Sequence, residues 1–228
     1  MLKILIKSFK DFFDKKILLL SFAPVFISVV FLGVVFFIFS DNINQFFVWI
    51  VSYIPFINGG FISSIVQGIL GIIIFYELVL MMSVLFMAFI ADSVVDRINK
   101  KHYHLKKLGF GTFLGSMTEA IKSNILFILL FIVLTPTMFI PFLNVLIHIF
   151  LWLVLIKSPM LYDSLAFYAA KDEFEKIKKS DRFKIWLLSF VVASLFLIPV
   201  FGVFSYVLQL IFFTHFSLSR LQKMQKAN

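Results

Sequence analysis

Lys and Arg are absent from the whole stretch between Lys16 and Arg97. That interval holds two long apolar runs, residues 17–39 and 61–91, joined by a connector, 40–60, whose one charge is Asp41. The basic residues gather elsewhere, in 3–16, 97–107, 171–184 and 220–226, with Lys122 and Lys157 standing alone. Short Lys/Arg-rich flanks stay on the cytoplasmic side of a membrane. Every basic cluster is therefore expected on one face, with the connector on the other and both termini cytoplasmic.

Composition agrees with that reading. The chain is 61% hydrophobic with a mean hydropathy of +1.04 and only 14% charged residues. A soluble domain carries about 25% charge. An integral membrane protein forming a single membrane domain, 1–228, is expected. The net charge of +9 sits at the ends of spans, where anionic lipid headgroups attract it. The bilayer is thus the expected partner and nucleic acid is not. With no Cys in the chain, disulfides and thiolate metal sites are excluded.

Along the chain, Leu2, Leu5, Ile6, Phe9, Phe12 and Phe13 recur at helical spacing, opposite Lys3, Lys7, Lys10, Asp11 and Asp14. This predicts an interfacial amphipathic helix over 2–16. An uncleaved span, 17–39, follows, with a kink at Pro24. In the connector 40–60, Trp49 and Tyr53 stand where an aromatic belt would. The apolar part of the next span, 61–95, counts 31 residues. It would reach roughly 46 Å as a helix against a hydrocarbon core of about 30 Å. It is expected to tilt or overshoot, continuing into a charged extension over 92–101.

Two later apolar blocks have basic residues at both ends, so each must return to the side it entered. Block 124–156 breaks near Pro136 and Pro141, and block 185–217 breaks at Pro199. Their legs would be short, roughly 21–27 Å, and their tips are apolar, as in Phe139-Ile140-Pro141-Phe142-Leu143. The expected fold is all-α: two long transmembrane helices, two short hairpins that need not cross fully, and amphipathic interfacial helices. Buried non-helical tips require protein around them, which points to tight packing within the chain or to a homo-oligomer. A repeat supports the layout, because Ile54-Pro55, Ile140-Pro141 and Ile198-Pro199 each lie between apolar helices and precede an Asn or Gly. Between the hairpins, Phe110, Phe113, Leu114, Met117, Ala120 and Ile121 form one amphipathic stripe. Leu161, Leu165, Tyr168, Phe174 and Ile177 form a second.

Few residues offer chemistry. Lys15 and Lys16 at the start of the first span could hold a doubly charged oxyanion, or act only as a positive-inside anchor. Lys122-Ser123-Asn124 opens the first short hairpin, where exposed amides at a helix N-terminus would help bind an anion. Glu77 is the one carboxylate deep in a span, a place where ionisable groups face a cavity or a partner. His148 and His215 are candidate partners for it. Gln67 and His148 join Glu77 as candidates for an ion path or coupling site. His102-Tyr103-His104 reads as a solvated loop rather than a metal site. Gly109, Gly111 and Gly115 do not have dinucleotide-binding spacing. No nucleophile–base arrangement is visible, so neither an enzyme nor a cofactor is expected.

The hairpin layout, with residues 89–96, the Ile140-Pro141 and Ile198-Pro199 tips and the Tyr162-Asp163 pair, resembles the CysZ family of bacterial sulfate permeases. That family shares a domain with etoposide-induced membrane proteins. Here Lys15-Lys16 and Pro24-Val25-Phe26-Ile27-Ser28 stand in for the family's paired Arg and Pro-Leu-x-x-Asn, and no Pro lies near Phe89. The resemblance implies sulfate or a related oxyanion as substrate, taken up across the inner membrane for cysteine synthesis. The alternative from a different class is a non-transporting scaffold that shapes the membrane through its interfacial helices.

Overall fold

A computed structural model describes residues 2–52, 60–140, 142–198, 202 and 205–227. Nine α-helices are seen among them: α1 Leu2–Phe12, α2 Lys15–Ile38, α3 Ser40–Ser52, α4 Gly60–His102, α5 Phe113–Leu134, α6 Leu143–Leu165, α7 Lys171–Ser180, α8 Arg182–Ala193 and α9 Tyr206–Ala227. Short 3-10 segments, Thr135–Phe139 and Ser194–Leu197, extend α5 and α8. No strand occurs among the described residues. Four helices, α2, α4, α5 and α6, are long and apolar enough to cross a membrane. Tyr53 and the Ile-Pro repeat at 54–58 lie outside the described residues, as do Pro141 and Pro199 of the other two copies.

One end of the bundle collects the basic segments. Asp14 caps α2 by accepting from the amides of Lys16 (3.1 Å) and Ile17 (3.4 Å). The same carboxylate takes a two-pronged contact from Arg97 at the end of α4 (3.0 and 2.9 Å). These guanidinium bonds hold its carboxyl below the usual carboxylate range. Asp181, between α7 and α8, accepts from Lys184 (2.8 Å) and twice from Arg220 of α9 (2.6 and 2.9 Å). Burial alone would raise this carboxyl, but the two cations outweigh it and hold it low. Gly109 and Gly111 donate to the carbonyls of Phe167 and Ala166 (3.0 and 2.8 Å). A Cβ on Gly111 would lie 2.7 Å from that backbone. These glycines serve a close backbone approach, not a phosphate.

From the basic end, three helical pairs run out and back. In the first, Ser83 of α4 meets Ser28 of α2 (3.2 Å), and Ser28 also donates to the Pro24 carbonyl (2.7 Å). Small polar side chains of this kind let membrane helices approach closely. Helix α3 folds back so that Phe47 packs on Gly71. Helices α5 and α6 form the second pair, and α8 and α9 the third. Helix α6 is mostly buried over Leu151–Met160, and every residue of α9 from Tyr206 to Leu218 is buried. They therefore form the centre of the bundle.

The pairs differ in reach. At about 1.5 Å per residue, α4 is roughly 65 Å long. Helices α5 and α6 span about 33 Å each, longer than the legs expected for block 124–156. The stripe beginning at Phe113 is continuous with α5, and Leu161 and Leu165 belong to α6. Helix α8 spans only about 18 Å. At the tip of the third pair, Phe196 accepts from Tyr76 (2.9 Å) and Tyr206 donates to the Leu80 carbonyl (2.6 Å). That tip thus stops level with mid-α4, and the first turns of α4 continue about 24 Å further.

Helix α1 brings one residue of its polar stripe inside the protein. Ile6 and Phe13 of the apolar stripe are exposed, whereas Asp11 of the polar stripe is buried. The carboxylate is turned inward because Lys101, His102 and His215 all meet it.

Candidate functional site: a carboxylate in mid-span and a basic cleft

Glu77 lies at the middle of α4 and is 6% exposed. The indole Nε1–H of Trp152 on α6 donates to its Oε2 at 3.0 Å. One turn earlier on α6, His148 Nε2 stands 3.8 Å from Glu77 Oε1. The other ring nitrogen of His148, Nδ1, is 2.9 Å from the carbonyl of Asn144. A carbonyl oxygen only accepts, so Nδ1 carries the hydrogen. In a neutral ring Nε2 is then a bare lone pair facing a carboxylate. Two acceptors opposed in a dry site repel. A positive centre between the two would remove the conflict. Tyr76, Trp152 and Phe196 enclose the pair, with ring pairs at 6.5 and 5.6 Å.

Of the two histidines considered as partners for Glu77, the fold selects His148. His215 is at the basic end, beside Asp11. Gln67 donates to Ser63 (3.1 Å) on its own helix. It stands about 15 Å along α4 from Glu77, so the two do not form one cluster.

Lys15 and Lys16 are exposed in the first turn of α2. The amides there are already occupied by the Asp14 carboxylate, so only the two ammonium groups remain for an anion. The N-terminus expected at Lys122 is corrected by the structure. Helix α5 starts at Phe113 with Thr112 as its cap, because residues 113–121 are themselves helical in pattern. Lys122 pairs with Glu119 (3.2 Å). Asn124 is buried, donating to the Ala120 carbonyl (2.9 Å) with its Oδ1 unpartnered.

A feature not singled out from the sequence lies next to Lys122. Glu119 also accepts from Ser158 (2.5 Å), and Ser158 lines a cleft of about 290 Å³ between α6, α7 and α8. Four cations border it, Lys157, Lys178, Lys179 and Arg182, against the single carboxylate Glu175. Trp186 forms part of the wall, with Lys157 Nζ 4.0 Å above its ring. The sequence signal was present in the isolated Lys157 at the close of an apolar block. Only packing shows that it faces the α7 lysines.

These features fit a membrane protein that handles an anion. No curated protein and no solved structure matches the chain. The family model for Sulfate transporter CysZ/Etoposide-induced protein 2.4 matches residues 4–206. With four helices suited to crossing a bilayer and that match over most of its length, the chain belongs to the sulfate transporter CysZ/etoposide-induced protein 2.4 family.

Proposed function

We propose that this chain carries an inorganic oxyanion, sulfate foremost, across a bacterial inner membrane to supply cysteine synthesis. Family membership supports the substrate class. The observation favouring transport over a passive membrane role is the Glu77–His148 pair in mid-span, since an ionisable pair there is costly to keep unless it is used. The basic cleft would receive or release the anion on the cytoplasmic side, beside Lys122. Lys15 and Lys16 would supply a second cationic patch at the same face. Asn124, with its unsatisfied buried oxygen, would lie along the way, and Gln67 would serve the opposite half of the path. A proton on the Glu77–His148 pair removes the negative charge that a dianion would otherwise meet. The short third hairpin leaves apolar surface and tips that further copies of the chain would cover, which supports a homo-oligomer.

The test is flux of labelled sulfate into proteoliposomes holding the purified chain, with and without an inward proton gradient. Uptake above empty vesicles, stimulated by the gradient, is expected. Vesicles that stay silent to sulfate, thiosulfate and selenate would refute transport. The second reading, a membrane-shaping scaffold, is favoured by α8, whose 12 residues reach only part-way through a bilayer. That reading predicts vesicles that deform without conducting.

A further inference from the structure

At the basic end, three side chains far apart in sequence converge. Asp11 comes from α1, His102 from the last turn of α4 and His215 from α9. His102 Nε2 is 2.7 Å and His215 Nε2 2.8 Å from the same oxygen, Asp11 Oδ2. One ligand atom from each residue lies within 4.8 Å of the others. Asp11 and His215 are buried and His102 is partly so. The stretch 102–104, expected as a solvated loop, thus contributes a half-buried imidazole and a buried phenol.

The hydrogens around Tyr103 bear on what this cluster holds. The Tyr103 hydroxyl lies 3.1 Å from the carbonyl of His215 and 2.9 Å from its Nδ1. A phenol has one hydrogen and the carbonyl can only accept, so both contacts are satisfied when Nδ1–H donates to the phenol oxygen. His215 Nε2 then presents a lone pair to Asp11 Oδ2. Two acceptors 2.8 Å apart need a positive centre between them. A partner that fixes the distal ring nitrogen and aims the near one inward is the usual support for a metal-bound imidazole.

We propose that Asp11 Oδ2, His102 Nε2 and His215 Nε2 form a binding site for a divalent transition metal of the zinc class. Two imidazole nitrogens and one carboxylate oxygen suit Zn²⁺, leaving a fourth position for water. Around a metal with bonds of about 2.0–2.2 Å, the ligand atoms stand roughly 3.3 Å apart. Each histidine nitrogen must therefore stand about half an ångström further from Asp11 Oδ2 than it does without metal. Lys101 holds the other oxygen, Oδ1, at 2.6 Å and is half exposed, so its ammonium is free to turn to water when a dication enters. The bound metal would tie the N-terminal helix to the end of the long helix and to the C-terminal helix. Its role is a clamp, independent of what crosses the membrane.

The test uses tag-free, full-length protein in detergent, stripped with a chelator and titrated with Zn²⁺ alone. One zinc per chain and a rise in unfolding temperature are expected. Cobalt(II) in its place should give the visible absorption of a four-coordinate nitrogen–oxygen site. His102→Ala and His215→Ala should each weaken zinc binding by more than about tenfold, and Tyr103→Phe by roughly 10–100-fold. Lys101→Ala keeps every ligand and removes a competing cation, so it should bind zinc more tightly than the parent. This arm holds even if a histidine variant fails to fold. Failure of the parent to bind one zinc, or binding unchanged by His102→Ala, would overturn the proposal. The cluster would then be a hydrogen-bonded His–Asp–His network. Sulfate flux need not change in either case.

Discussion

Trp152 donates its indole N–H to the carboxylate of Glu77 at 3.0 Å, joining the centre of the longest helix to the most buried span. His148 Nε2 stands 3.8 Å from the carboxylate's other oxygen, so Glu77 faces one donor and one imidazole. Glu77→Gln preserves shape and an acceptor for Trp152 but cannot ionise. The variant should keep the parent's thermal stability while sulfate flux loses its dependence on pH. In the parent, flux should rise as pH falls, because protonation removes a negative charge from the path. Proteoliposome uptake measured across pH checks both statements, and a parent profile as flat as the variant's would dismiss the coupling role.

The four cations around the cleft predict a specific loss. Reversing Lys178 and Arg182 to Glu should raise the sulfate concentration for half-maximal flux. Exposed charges of this kind contribute about 1 kcal/mol each, or roughly fivefold. Added salt should shrink the difference, since it screens exposed charges. Lys15→Ala with Lys16→Ala should have a smaller effect of the same sign. Saturation curves at two ionic strengths separate the patches.

Asp181 gives a pH prediction outside the membrane. Its carboxyl is held below its usual value by Lys184 and Arg220, against the opposing effect of burial. The folded-state value is depressed, so the stabilisation is fully present above the unfolded value of 3.8. It is lost as pH falls through the lower folded value. Asp181→Asn should cost about 2 kcal/mol at neutral pH by leaving Arg220 partly unpaired. Its melting temperature should also fall less steeply in acid than the parent's. Thermal melts of the two proteins from pH 7 to pH 3 test this.

Gly111→Ala places a methyl 2.7 Å from the backbone at Ala166–Phe167. Backbone cannot move aside as a flexible side chain can, so the change should destabilise the chain by about 1–3 kcal/mol. Gly33→Ala, where nothing lies within 4 Å, should be nearly neutral. Equal melting temperatures for the two variants would contradict the close approach.

The residues that pair are mostly the ones whose roles the sequence left open. Glu77 stood out as a lone carboxylate in an apolar run, yet His148 and His215 were equal candidates for its partner. Nothing local separates two histidines on later helices. Trp152 was not singled out at all, because a Trp in an apolar block reads as core until its N–H is seen to meet an oxygen. Lys122-Ser123-Asn124 reads as a helix start because an apolar block opens there, and the true start lies at Phe113. Helical periodicity continues through residues 113–121 without a break, so the charge at Lys122 does not mark the helix end.

By itself the sequence determined the all-helical class of fold and the presence of apolar helices long enough to cross a membrane. These follow from hydropathy and from the cost of burying charge in lipid, both properties of single segments. Tertiary structure alone decided which side chains meet: Asp11 with His102 and His215, Arg220 with Asp181, and Lys157 with the lysines of α7. The residues of each set lie about 20 to 200 positions apart in the chain. Their meeting depends on how far each helical pair reaches and how it rotates, and both are fixed by packing rather than by local pattern.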